Sequence, residues 1–356
     1  MIRTLKAPRN PDLLGRVIAA LRLHTEQRRP RNAGDRALAT ALKKAKVAPK
    51  AARRLVGNLE ERPRRVRDRL LGEVAKPGYA PAPRPEPRPM PTLRTEIPVS
   101  AMVGGTAVHG ALNEIFSTDP GVDRLPLYTV RYQGVFCQEE TSWDRGSSSD
   151  EIYVITSVVH IDAAGENITR TERHPQGQGA ASYYGDLDDL DERYGPVAAA
   201  WQGYSEHPVS VTSVLFEHDE GDPDAYRDEV DAIVKVTIAV LSKLYPPAAV
   251  LALAHDTITD AVNWLLGTGD DVISTETVVL PLSTLELYSS LQWSFYIGER
   301  RIPVIVNGQT RGFQVAPYST SLPYHFFTLH QGSGARYVVV FDVERDPPNE
   351  RPVVLL

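Results

Sequence analysis

Apolar residues recur at helical spacing near the start of the chain, at Leu13, Leu14, Val17, Ile18 and Leu21, behind Asp12, which can cap a helix. A second helix is predicted over 37–47, preceded by Asp35. Lys43, Lys44 and Lys46 lie near its end, where cations suit the helix dipole. A third run follows Pro49, is interrupted at Pro63 and resumes with Val66, Leu70, Leu71 and Val74. From 76 to 98 the periodicity is lost. Pro81, Pro83, Pro85, Pro87, Pro89 and Pro91 exclude helix and inner strand and favour an extended polyproline spacer. Beyond it the pattern shortens to strands. Segments 127–136, 151–161, 209–216 and 276–282 are rich in Val, Ile, Tyr, Thr and Phe, and turn residues bound them. Further strands are expected at 293–297, 302–306, 312–315 and 336–343. Asp162 to Gly165 reads as a hairpin turn, and Asn307-Gly308 is a type I′ signal.

One section breaks the strand pattern. Asp222-Pro223 supplies an N-cap followed by proline at the first helical position. Tyr226, Val230, Ile233, Val234, Leu241 and Leu244 form the apolar stripe of a helix that Pro246-Pro247 stops. A second helix runs on to Leu266, with Leu251, Ala254, Ile258, Val262 and Leu265 on one face. A helical hairpin over about 222–266 is therefore expected between two strands. The acidic run Asp186, Asp188, Asp189, Asp191, Glu192 lacks the glycine and distal glutamate of an EF-hand loop. It reads as a charged loop leading into a helix over 192–201.

The expected fold is mainly β: an antiparallel sandwich with a helical hairpin insertion, preceded by a small basic all-α segment. Three parts follow: 1–75 helical, 76–98 the Pro-rich linker, and 99–356 the β-domain.

Charge sharpens that division. Residues 1–75 carry 20 Lys and Arg against 7 Asp and Glu, and residues 76–356 carry 19 against 38. The halves, +13 and −19, attract each other or different partners. The basic segment has two readings. It is a nucleic-acid-binding bundle, since its charges would release counterions from phosphate, or it is a docking module with a solvated basic face. No DNA-reading motif accompanies the charge. A single cysteine, Cys137, excludes an internal disulfide framework and a multi-cysteine zinc site. Residues 1–23 lack the apolar run and cleavage site of a secretory signal, so the protein is expected in the cytoplasm, or exported without a classical signal peptide.

The acids cluster at strand ends: Glu139-Glu140 with Asp144, Asp150-Glu151, Glu217 with Asp219, and Asp270-Asp271. Converging carboxylates repel unless a cation neutralises them, and calcium takes six to eight hard oxygen ligands from flexible loops. The stretch from Ser142 through Asp144, Gly146 and Asp150 to Tyr153-Val154 resembles the first calcium loop of C2 domains. Val214 to Asp219 resembles the start of their third loop, and Asp271 to Ser274 resembles its close. The resemblance implies a C2-like sandwich that binds calcium through Asp144, Asp150, Glu217, Asp219 and Asp271. It further implies docking on an anionic membrane surface or a protein partner. Glu217 stands where the family has Asp, Glu151 where it has Pro, and Ser274 where it has Gly. The closing Asp271 lies 52 residues beyond Asp219, because the hairpin sits inside the loop.

Other chemistry is sparse. No Gly-x-Ser-x-Gly elbow is present, and Cys137, at the end of a strand, reads as a small buried hydrophobe. His255, His325 and His330 read as structural. Trp143 flanks the first acidic loop as a packing or interfacial residue. Beside the calcium module stand two other readings: an exported bacterial effector or toxin whose hairpin inserts into membrane, and a hydrolase with an unfamiliar site.

Overall fold

The computed structural model describes residues 9–25, 32–64, 67–68, 127–141, 150–162, 164–204, 207–219, 221–266, 271–294, 301–306, 309–314, 321–323, 325–332, 334–346 and 353–355. The Pro-rich stretch 76–98, Asp144, Trp143 and Asn307-Gly308 lie outside the described residues.

Three helices open the chain: α1 (Pro11–Thr25), α2 (Ala33–Lys44) and α3 (Pro49–Glu61). Their starts differ in detail from the sequence expectation. Asn10 accepts from the Leu14 N–H through its carbonyl, while Asp12 lies inside the first turn and pairs with Arg16 at 3.1 Å. Asn32 caps α2, its side chain accepting from the Asp35 N–H at 2.8 Å.

Two antiparallel sheets pack face to face. The first has the order β12-β13-β1-β5, from β1 (Leu127–Glu139), β5 (Glu192–Tyr204), β12 (His325–Gly332) and β13 (Ala335–Asp346). The second has the order β3-β2-β6-β7, from β2 (Asp150–Ile161), β3 (Asn167–His174), β6 (Val209–Glu217) and β7 (Asp271–Leu280). The short β4 (Tyr184–Leu187) pairs with β2 outside that path. Smaller pairings join β9 (Arg301–Val306) to β10 (Gln309–Gln314). Another group joins β8 (Leu291–Ser294) to β11 (Ser321–Pro323) and, in parallel, to β14 (Val353–Leu355). The turn expected at Asp162 is present: its side chain accepts from the N–H groups of Ala164 and Glu166, and Gly165 adopts φ +75°.

The chain between β6 and β7 forms α4 (Pro223–Leu244) and α5 (Pro247–Leu265), as the hairpin pattern predicts. Asp222 caps α4 by accepting from the Asp224 N–H at 3.1 Å. A further helix, α6 (Leu282–Ser290), follows β7, so the strand expected over 276–282 begins and ends earlier than the sequence suggests.

Period-2 alternation assigns the two faces of the second sheet. Ile152, Val154 and Val158 of β2, with Val209, Val211 and Leu215 of β6, point into the sandwich interior. Tyr153, Ile155, Val159, Val214 and Phe216 point the other way, into a core shared with the helices. Both faces are covered, which accounts for near-continuous apolar runs where a half-solvated strand would alternate. Helix α4 is enclosed in turn. Nine of its ten positions from 232 to 241 are buried, Lys235 being the exception. A helix buried all round has packing on more than one side. Here the sheet lies beneath it, and α1, α2 and α3 lie on its outer side.

The basic N-terminal helices therefore share one core with the hairpin. Leu13, Leu14, Val17, Ile18, Leu21, Leu42, Leu55 and Leu59 are all buried in it. Polar contacts fix the register: Arg9 pairs with Asp256 at 2.7 Å, and the Asn10 N–H donates to Asp260 at 2.8 Å. Arg62 donates to the carbonyls of Asn263, Trp264 and Leu266, satisfying acceptors that the end of α5 leaves open. Of the two uses that the charge asymmetry allowed, the halves attract each other in this structure.

One expectation is overturned. Residues 192–201 form strand β5 along β1 rather than a helix. Ala198-Ala199-Ala200 favours a helix locally, but pairing with β1 and burial of Trp201 override that weak preference. Gly195, Pro196 and Val197 oppose a single residue of β1, a bulge on a sheet edge where proline is tolerated.

Candidate acidic site

The strand register decides which acids meet. Glu217, the last residue of β6, pairs with Ile152 of β2 on one side and with Asp271 of β7 on the other. Asp150, the first residue of β2, shares the face of Ile152. Asp150, Glu217 and Asp271 thus reach one end of one sheet. Asp150 and Glu217 are buried, and Asp219, two residues beyond, is exposed.

Thr141, just past β1, ties the buried pair together. Its backbone N–H donates to Asp150 Oδ2 and its hydroxyl to Asp150 Oδ1, both at 2.8 Å, and the same hydroxyl lies 3.5 Å from Glu217 Oε1. Tyr337 of β13 donates its phenol to Asp150 Oδ2 from the opposite sheet. Burial, with Cys137 and Asp150 beside it, pushes the Tyr337 phenol far above its ordinary range, so it stays a donor. Cys137, opposite Tyr337 in the β1–β13 register, is buried and its thiol is pushed up to about 12. It is a small apolar residue here, with no thiolate chemistry.

These contacts bear on how well the residues fit a cation. A carboxylate offers about four lone-pair positions. Donors among the described residues occupy two positions at Oδ2 and one at Oδ1 of Asp150. Asp150 is thus first a link between the two sheets, and at most a single-oxygen ligand. Among the described residues, no group of three or more His, Cys, Asp or Glu could hold a metal ion. A shell would need oxygens from 142–149 or 267–270, and Asp144 belongs to the first of these.

The sequence reading missed a second buried cluster. His330 of β12 lies between the sheets, with Nε2 2.9 Å from Ser213 Oγ and 3.0 Å from Thr328 Oγ1, and Nδ1 2.8 Å from Ser274 Oγ. Burial lowers this imidazole to about 3, so it is neutral. A serine–histidine contact suggests nucleophilic chemistry, but His330 is wholly enclosed and Ser213 is buried, which leaves substrate no approach. The cluster joins the edge of one sheet to the edge of the other. At the end of β12 the backbones come so close that a Cβ on Gly332 would meet the Ile273 carbonyl at 2.1 Å. Serines in the middle of the apolar runs of β6 and β7 were its sequence signal.

His174 is another buried imidazole. It stacks on Tyr132 with ring centroids 4.3 Å apart, contacts Thr156 Oγ1 at 3.0 Å, and is lowered to about 3 by burial. The hairpin sits between the sheet and the N-terminal helices, so insertion into a bilayer would require leaving that packing. No described helix is long and apolar enough to cross a membrane.

Comparison with protein-family models, with curated proteins and with solved structures finds no match.

Proposed function

We propose that the β-domain is a calcium-binding, C2-like module that docks on an anionic membrane surface through its acidic end. One observation carries this reading. The Thr141 hydroxyl is shared by the buried carboxylates of Asp150 and Glu217, and Asp271 stands in register beside Glu217. Three of the five acids named by the C2 resemblance thus have their backbone positions at one sheet end, although Asp150 and Asp271 are 121 residues apart in the chain. Carboxylates gathered in this way repel one another, and a divalent cation bound among them would remove that penalty. Glu217, Asp219 and Asp271 would supply oxygens, with Asp144 completing the set and Asp150 orienting it through Thr141. The bound cation would leave residual positive potential at this end, where an anionic headgroup could meet it. Without metal, the −19 charge of residues 76–356 repels an anionic surface.

The test is sedimentation of the full chain with phosphatidylserine vesicles, in calcium or in chelator, at physiological salt. The calcium-dependent increment is the readout, since the basic segment can adsorb without metal. Glu217→Gln with Asp219→Asn should abolish the increment. Equal sedimentation in calcium and chelator would sink the reading.

A further inference from the structure

Residues 36–54 contain seven cations and no Asp or Glu. They run from α2 through a short turn into α3, so a rigid frame displays the charge. Two of the seven pair with acids of the body and hold the segment there: Lys44 on Glu166 and Arg54 on Glu229. The other five, Arg36, Lys43, Lys46, Lys50 and Arg53, are exposed and form no ion pair among the described residues. Leu42, Val47, Ala51 and Ala52 between them, and Leu55 just beyond, are buried in the core. Packing therefore sorts this tract into an apolar inner face and an outer face of unpaired positive charge. Lys46, at the end of α2, takes a positive φ of 53°, which turns the chain tightly there.

We infer that this outer face, centred on Lys43, Lys46, Lys50 and Arg53, docks on the phosphate backbone of a nucleic-acid duplex. Three features favour a duplex over other polyanions. No large hydrophobic residue is exposed among the described residues of α1, α2 and α3, so the face has nothing to bury in a bilayer. The face carries no aromatic residue, so it offers no stacking platform for single-stranded bases. A membrane is a plane and would confront the surrounding acidic surface as well as the patch. A duplex is a narrow rod that can lie on the patch alone, with the acids beyond about 8 Å largely screened at physiological salt. Lys43, Lys50 and Arg53 sit on helix surfaces and Lys46 in the turn between them, Arg53 donating locally to the Pro49 carbonyl, and nothing in the tract is arranged to read base edges. Binding is thus electrostatic and insensitive to sequence. These helices take no part in the acidic sheet end, so the duplex and calcium readings fail independently.

The experiment measures anisotropy of a short labelled DNA duplex with the full chain, over salt from about 50 to 200 mM. Wild type should bind, with affinity falling steeply as salt rises. The variant K43Q/K46Q/K50Q/R53Q keeps every buried residue, and its thermal melt should match wild type. Its affinity should drop about tenfold or more, and its log–log salt slope should shrink by about 3 to 4, near 0.9 for each phosphate no longer neutralised. Arg170→Gln, on the exposed surface of β3, should change neither quantity. No duplex binding by wild type at low salt would overturn the proposal, as would a quadruple variant that binds like wild type. Phosphatidylserine vesicles captured through these four residues, with duplex ignored, would also overturn it.

Discussion

Glu229 of α4 is buried with its Oε1 2.5 Å from the guanidinium of Arg54 on α3. The contact runs from the most basic part of the chain to the acidic remainder, and burial raises the carboxyl to about 6 even with the cation beside it. The N-terminal helices are thus held by a partly desolvated ion pair as well as by apolar packing.

Cleavage of the chain within 76–98 should therefore leave the N-terminal fragment attached. Brief trypsin treatment at Arg94, the arginine of this stretch that proline does not follow, and then gel filtration under native conditions should elute both fragments together. Arg54→Ala combined with Arg62→Ala strands the Glu229 carboxylate and uncovers the last carbonyls of α5. Leaving buried polar groups unmet costs about 1–3 kcal/mol each. In this variant the cleaved fragments should separate. Separation of the cleaved wild type would show that the shared core does not hold the segment.

Asp150→Asn should destabilise the protein by about 2 kcal/mol, the range for hydrogen bonds to a charged group. The amide nitrogen cannot accept: placed at the Oδ2 position it costs both the Thr141 N–H and the Tyr337 phenol their acceptor, and placed at the Oδ1 position it costs the Thr141 hydroxyl its acceptor. Urea melts of D150N, Y337F and the double variant should show coupling between the two positions. Additive effects would mean that the Tyr337 contact contributes nothing.

Calcium should raise the melting temperature of the full chain, by the equivalent of about 2.7 kcal/mol at 100 times its dissociation constant. Glu217→Gln with Asp219→Asn should remove the shift. An unmoved wild-type melt at millimolar calcium would end the metal reading while leaving the Thr141–Asp150 link intact.

Two opposing pH dependences are built into the interior. His174 and His330 are both lowered to about 3 in the fold and protonate near pH 6.5 once unfolded. The stability they confer is complete above about pH 6.5 and is lost as pH falls from there toward 3. Glu229 and Glu276 act in reverse. Burial raises them to about 6 and about 7, so their contribution is full below about pH 4.5 and is lost as pH rises through those values. Melts from pH 4 to 8 should show His330→Asn flattening the acid limb and Glu276→Gln flattening the neutral one. If His330→Asn leaves the acid limb unchanged, the imidazole is not held neutral.

Where local pattern decided structure, the sequence was legible. The hairpin with its Asp222 cap, the long strands β1, β2, β6 and β13, and the turn at Asp162 all carry short-range signals. Residues 192–201 misled because Ala198 to Ala200 carries a helical preference, whereas the strand is imposed by β1, some sixty residues upstream. The covering of β2 and β6 on both faces was written in their unbroken apolar runs, which differ from the alternation of a half-solvated strand. The C2 resemblance grouped Asp150, Glu217 and Asp271, and their common position at one sheet end follows from register across three strands. Thr141 and Tyr337 carry no motif, and their role follows only from the packing of one sheet on the other.

The enclosure of α4 has a consequence for how the protein is made. Residues 11–61 leave the ribosome well before α4, so the apolar stripes of Leu13, Ile18 and Leu55 emerge without their main packing surface. The sheet beneath α4 is not whole until β7 has been synthesised, and its inner face awaits β12 and β13 near the end of the chain. Neither layer can close early. The nascent chain must therefore keep its first helices soluble through most of translation, and their dense positive charge suits them to that wait.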